Sequence, residues 1–154
     1  MMVRLARTAD VEAVIQLERR IAEAPHWAES EYASMLAAGT GAVGRCLFVA
    51  EGDGGLIGFA VGKVIGMGHE SSSELESVAV NSDARRMGVG RLLCAAVIDW
   101  CRAQGAVEVE LEVRASSAGA IALYSGLGFV VEGRRPGYYQ TPPDDAVLMR
   151  LELA

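Results

Sequence analysis

Arg85-Arg86-Met87-Gly88-Val89-Gly90 is the segment of this chain whose residue types point most directly to a ligand. Two glycines one residue apart let a backbone approach an anion closely. Val89, Leu93, Val97 and Trp100 then recur at spacings of four, four and three, the stripe of an amphipathic helix. The first N–H groups of that helix lack internal partners and carry a partial positive charge, and two arginines precede them. A pyrophosphate is the group such a turn would cradle. It is not a Walker loop, because no GK[ST] occurs and Lys63 is the only lysine; the third glycine of the dinucleotide fingerprint is also missing. A glycine pair alone is also compatible with a plain structural turn. Its place after ELESVAV and before a long helix favours the ligand.

Carboxylates are the next residues able to do chemistry. Glu108, Glu110 and Glu112 alternate with apolar residues in VEVELEV and so share one strand face, where solvation is the simplest role. Glu74 and Glu76 alternate with Leu75 and Ser77, an alternation that places them on the face of Val78 and Val80. Tyr124 sits in AIALY on a mostly apolar helix, where a packed ring is the plain alternative to a reactive phenol. Tyr138 and Tyr139, in RRPGYY, offer rings and hydroxyls to a peptide backbone, or belong to an ordinary surface loop. Asp144-Asp145 could attract a basic peptide, or be solvated loop charges. Cys46, Cys94 and Cys101 are an odd set without CxxC spacing, so they read as buried apolar residues, not a disulfide framework or zinc site. His26 and His69 are isolated, and no metal is expected.

These residues need a scaffold. Val3–Ala6 reads as a strand. A helix follows, with Thr8 as N-cap, Asp10 and Glu12 in its first turn, and the stripe Val11, Val14, Leu17, Ile21; Pro25 stops it. A second helix, Glu29–Ala38, ends at Gly39 and Gly41. Strands Arg45–Glu51 and Leu56–Ile65 flank the hairpin signal Gly52-Asp53-Gly54-Gly55. Gly66–Ser73 reads as a loop and Glu74–Val80 as a strand. The long helix covers Gly88–Gln104, with Gly105 ending it, and Val107–Val113 is the next strand. A helix at Ser117–Leu127, capped by Gly128, a strand at Phe129–Glu132, a Pro/Gly/Tyr-rich loop at Arg134–Asp145 and a strand at Val147–Leu153 complete the order βααβββαβαββ. That is an α/β domain on a mixed sheet. The unit Glu74–Val113 is a parallel βαβ crossover, with a ligand expected at the carboxyl ends of its strands.

The 154 residues suit a single domain over 1–154. No apolar stretch reaches the roughly 18 residues of a membrane span, and charges interrupt the apolar run at the N-terminus, so the expected compartment is the cytoplasm. A net charge of −6 argues against a nucleic-acid partner and suits a cationic substrate, or serves solubility alone.

Arg85-x-x-Gly88-x-Gly90 after a strand matches the [QR]xxGx[GA] signature of the GNAT N-acetyltransferases. Leu111 to Tyr139, LEVRASSAGAIALYSGLGFVVEGRRPGYY, is similar to the ribosomal-protein-alanine N-acetyltransferases. Glu23 to Tyr32, EAPHWAESEY, resembles their substrate loop. The resemblance spans almost the whole chain. It implies the GNAT fold, a mixed and mostly antiparallel sheet splayed around acetyl-CoA between Glu74–Val80 and Val107–Val113 and flanked by helices. It implies a pantetheine arm paired with the backbone of Val78, Ala79 and Val80, and a pyrophosphate held by Arg85, Arg86, Met87, Gly88, Val89, Gly90 and Arg91. A strand bulge near Val78 would aim an N–H at the thioester carbonyl.

The resemblance also makes Glu112 the general base, acting through water, and Tyr124 the general acid toward the CoA sulfur. Many GNAT enzymes carry their base on the preceding strand instead, at the position of Glu76, with Glu74 nearby. The family's usual asparagine is replaced by Ser117, whose shorter side chain donates and accepts one hydrogen bond at the cofactor contact. Trp27, with Pro25 and His26, would face Tyr138 and Tyr139 across the acceptor. The implied partners are acetyl-CoA and a protein N-terminus, preferentially a ribosomal-protein alanine, with neither nucleic acid nor membrane; the chain would be a monomer or weak homodimer. A small-molecule amine is the alternative acceptor, and a non-catalytic acyl-CoA sensor is the alternative class.

Overall fold

A computed structural model of the chain describes residues 1–21, 27–36, 43–66, 71–85 and 87–153. Seven strands form one sheet: β1 (Met2–Leu5), β2 (Val43–Gly52), β3 (Gly55–Ile65), β4 (Ser71–Val80), β5 (Ala106–Arg114), β6 (Val130–Gln140) and β7 (Pro143–Glu152). Their spatial order is β1-β2-β3-β4-β5-β7-β6. Every neighbouring pair is antiparallel except β4–β5, the parallel crossover expected from the sequence. Helices α1 (Val11–Arg19) and α2 (Glu29–Ser34) follow β1, α3 (Val89–Ala103) links β4 to β5, and α4 (Ala118–Gly126) follows β5. This is the order read from periodicity.

Alternation along β2 and β3 divides the core between the two sheet faces. Cys46, Ala50 and Ala60 pack with α3, whose Val89, Leu93 and Val97 are buried beside Leu111 and Met149. Leu47, Val49, Phe59 and Val61 pack instead with Val11, Val14, Leu17 and Ile21, and with Tyr32 of α2. All three cysteines are buried, and burial pushes the Cys46 and Cys94 thiols up to about 12. Gly62 lets α3 sit close: a Cβ there would lie 2.6 Å from Val97 Cγ1 and 3.0 Å from Cys46 Sγ.

Both early helices end sooner than expected, α1 at Arg19 and α2 at Ser34, and four further local expectations change. Thr8 lies inside a 3₁₀ turn, Thr8–Asp10, and caps nothing with its side chain. The turn is closed by Asp10, which accepts the Arg7 N–H at 2.7 Å and two bonds from Arg4 at 2.7 and 3.0 Å. Strand β4 starts at Ser71, earlier than the serine run suggested, because Ser71 and Ser73 are buried and the Ser73 hydroxyl donates to the Glu108 carbonyl. The supposed loop Arg134–Asp145 is strand: β6 and β7 form a long hairpin closed by Tyr139↔Asp144 and Gln140↔Pro143. Pro136 and Gly137 fall in a register shift between Arg135 and Tyr139 on an edge strand, where a missing N–H costs no ladder bond.

The fourth change concerns β4. Val61 pairs with Ser77 and Gly62 with Leu75, which leaves Glu76 as an extra residue. This bulge breaks the alternation read from the sequence. Leu75 and Val78 both join the α3 side, whereas Glu76 meets Arg45 beside α2. Glu74 and Glu76 therefore do not share a face with Val78 and Val80, and the bulge sits two residues before Val78.

Candidate active site

Strands β4 and β5 pair only from Ser71↔Ala106 to Glu74↔Glu110 and diverge beyond that point. The opening is a cleft of about 600 Å³. Val78, Ala79 and Val80 form one wall; Ser117, Leu123 and Tyr124 form the other; Arg85, Gly88, Val89, Gly90 and Arg91 close the mouth. The Asn81 N–H donates to the Ile57 carbonyl, which fixes the antiparallel phase. Val78 and Val80 then turn their backbone groups away from β3 and toward the cleft, and Ala79 turns its own toward β3. An extended chain entering the opening meets a free strand edge there.

The mouth has the chemistry of an anion site. Gly88 precedes α3 at φ +77°, a conformation that favours glycine. The first i→i−4 bond of α3 is Leu92 N–H to Gly88 carbonyl, so the N–H groups of Val89, Gly90 and Arg91 have no partner inside the helix. At Gly90 a Cβ would stand 3.3 Å from Leu123, so its absence keeps the floor open. Arg85 and Arg91 stand at the rim, both exposed. Met87 is 60% exposed and is not part of the cleft wall. Arg86 lies outside the described residues. Ser117 stands at the N-terminus of α4 without using its side chain as a cap.

Tyr124 and Glu112 approach the split from opposite faces. Tyr124 packs on the α3 side, its ring 5.9 Å from Phe129, and burial raises its phenol well above the usual tyrosine value. Glu112 is on β5 between the inward Leu111 and Val113, and so faces the other way. It lines a smaller recess of about 100 Å³ with Glu74, Glu110 and Glu132, not the larger cleft. Arg135 Nη1 lies 3.5 Å from Glu112 Oε1. The β6–β7 hairpin brings Tyr138 and Tyr139 to the same carboxylate: Glu112 is the main cause that raises the Tyr138 phenol, and burial followed by Glu112 raises Tyr139. Glu74 is raised too, by burial first and then by neighbouring carboxylates.

Glu76, the rival candidate, is engaged elsewhere. Both its oxygens accept from Arg45, at 2.9 Å each. Trp27 lies beside this pair, its ring 5.5 Å from the Arg45 guanidinium carbon and 5.7 Å from Tyr32. Pro25 and His26 lie outside the described residues. The sequence marks neither Arg45 nor Arg114 of this region as a site residue. Arg45 shares its inward alternation with the buried Leu47 and Val49, which is a signal that a charge must have a partner. Arg114 stacks 4.2 Å over Tyr139 and donates to the Pro142 carbonyl at 2.8 Å, contacts with no local sequence signature. Among the described residues no cluster of three or more His, Cys, Asp or Glu could hold a metal ion.

The chain matches the acetyltransferase (GNAT) family over residues 11–129. It is 35% identical over 150 residues to the ribosomal protein bS18-alanine N-acetyltransferase of Escherichia coli (strain K12), a match covering 96% of this chain and 94% of that protein. The crystal structure of the ribosomal-protein-S18-alanine N-acetyltransferase from Escherichia coli has a TM-score of 0.79 at 31% identity, covering 99% of this chain and 94% of that one. Ard1 from Thermoplasma volcanium has a TM-score of 0.78 at 26% identity, covering 99% and 97%.

Proposed function

Because this chain belongs to the acetyltransferase (GNAT) family, we propose that it moves an acetyl group from acetyl-CoA to the free N-terminal amine of a protein, with the N-terminal alanine of a ribosomal protein as preferred acceptor. The observation that carries this reading is the cleft itself, open between β4 and β5, with unpaired helix N–H groups at its mouth and a carboxylate and a phenol on opposite faces. The whole chain acts as one domain, in the cytoplasm.

The residues present fit coenzyme A. The N–H groups of Val89, Gly90 and Arg91 suit a diphosphate, with Arg85, Arg86 and Arg91 adding charge and Met87 completing the turn. Backbone groups of Val78 and Val80 suit the amides of the pantetheine arm. Ser117 offers one hydroxyl at the position where the family resemblance leads one to expect an asparagine. The thioester supplies an acyl group already activated toward an amine.

The chain's own groups handle the protons. An N-terminal ammonium has a pKa of about 7.7–8.0, against about 10.4 for lysine, so it gives up its proton more readily to a carboxylate working through water. Glu112 takes that proton. Tyr124, kept protonated by burial, gives one to the departing sulfur. Trp27, Tyr138 and Tyr139 flank the acceptor, and Arg135 stands against Glu112 where the ammonium must arrive.

The test is a rate comparison at saturating acetyl-CoA. Peptides with a free N-terminal alanine should be acetylated, while the same peptides blocked at that amine but carrying an internal lysine should not. Faster turnover on a small polyamine than on the free peptide would replace this acceptor with a small molecule. Tight CoA binding without turnover on any amine would leave only a sensor.

A further inference from the structure

Arg45 opens the inward row of β2 and has partners on three separate pieces of the chain. Its Nε and Nη2 hold the two oxygens of Glu76 at 2.9 Å each, a bidentate grip. Its Nη1 donates to Glu31 Oε2 of α2 at 2.7 Å. Its guanidinium carbon lies over the ring of Trp27, which precedes α2, at 5.5 Å from the ring centroid. Glu76 is only 10% exposed and is the bulge residue of β4, two residues before the edge that enters the cleft.

We propose that Arg45 is a positioning residue: it latches the acceptor wall, Trp27 and α2, to the bulge that sets the backbone of Val78–Val80 in the cleft. The proposal rests on the acceptor reading given above. It assigns Glu76 a new role. Both Glu76 oxygens are turned to the Arg45 fork, so neither is presented to an acceptor amine. Glu76 therefore holds the bulge in place, and proton removal is left to Glu112. The two arms of the latch have separable consequences. The Glu31 arm fixes only the wall, so it governs acceptor binding. The Glu76 arm fixes the bulge, so it governs turnover.

Hydrogen bonds to charged groups are strong enough that losing one arm should be seen as roughly a tenfold change. In the full chain, Glu31→Gln should raise the KM for the acceptor about tenfold with kcat nearly unchanged. Arg45→Met and Glu76→Gln should each lower kcat by about the same tenfold factor, without altering the shape of the pH profile. The double variant should be no slower than either single one, because the two side chains act as a unit. Acetyl-CoA affinity by calorimetry should stay at the wild-type value in Glu31→Gln. Arg45→Lys keeps the charge without the fork and should not restore kcat. Wild-type kcat in Arg45→Met beside a loss of about 10² or more in Glu76→Gln would make Glu76 the base and overturn the latch. Amide exchange of Glu29–Ser34, read without any substrate, should quicken in Arg45→Met; unchanged exchange also overturns it. A wild type that acetylates only small amines would sink the acceptor reading, and the exchange measurement would still decide whether the latch exists.

Discussion

Glu112 and Tyr124 are the two side chains whose removal should be felt in chemistry more than in binding. Glu112→Gln keeps the shape of the side chain and removes the proposed base, so kcat should fall by about 10²–10⁴ with the acceptor KM little changed. Near-normal turnover in that variant would return the role to the preceding strand. Tyr124→Phe should lower kcat while calorimetry finds acetyl-CoA affinity unchanged; a wild-type rate would dismiss the phenol as the acid. Because burial raises that phenol, wild-type kcat should stay level past pH 10, where an ordinary tyrosine is half ionised. At this scale a motif singles out candidate residues, as LEVR and AIALY do for Glu112 and Tyr124. No motif singles out Arg45, whose contact with Glu76 spans 31 residues. A charge in the inward row of RCLFVAE marks a buried partner without saying which one.

Elements were legible where periodicity is local. The stripes of α1 and α3 and the Gly52–Gly55 turn stand as read. The hairpin β6–β7 was not legible, because Pro136 and Gly137 signal a loop unless the strand lies at an edge and bulges there. Nor was the β4 bulge, since an inserted residue depends on the partner strand and leaves no period of its own. Two stability predictions belong here. Gly62→Ala places a Cβ against Val97 and should cost about 1–3 kcal/mol in urea unfolding, whereas Gly54→Ala, with nothing within 4 Å, should change it by less than about 0.5 kcal/mol. Equal effects at both sites would mean that α3 adjusts freely. Asp10 closes the turn before α1, and Arg4, chiefly by its hydrogen bonds, holds the carboxyl down at about 2. A depressed folded value means the contribution is present above the unfolded pKa of about 3.9 and is lost as pH falls through about 2. Asp10→Asn should therefore destabilise by about 1–2 kcal/mol at neutral pH, with the gap to wild type closing below pH 3. A gap that persists there would point to lost shape, not lost charge.

The molecule as a whole carries a net charge of −6, yet the donor it is proposed to use is itself polyanionic. The two facts are compatible because the charges are segregated. The cleft mouth presents helix N–H groups with Arg85 and Arg91, while the recess at the proposed acceptor site is lined by Glu74, Glu110, Glu112 and Glu132. Burial first, then the neighbouring carboxylates, raises Glu74 and Glu110, as expected where like charges crowd. A cation entering that recess relieves the crowding, so an acceptor with arginine after its N-terminal alanine should be drawn in more strongly than a neutral one. Salt screens such attraction between exposed charges, with a Debye length of about 10 Å at 0.1 M and about 3 Å at 1 M. At saturating acetyl-CoA, kcat/KM for an alanine peptide followed by arginines should drop severalfold between low and high salt, and that for the same peptide with glutamines should hardly move. Saturation is essential, because salt also weakens the anion site at the mouth. Two peptides losing rate in parallel would mean that the carboxylate recess contributes nothing to acceptor choice, and that the negative charge on this face serves solubility alone.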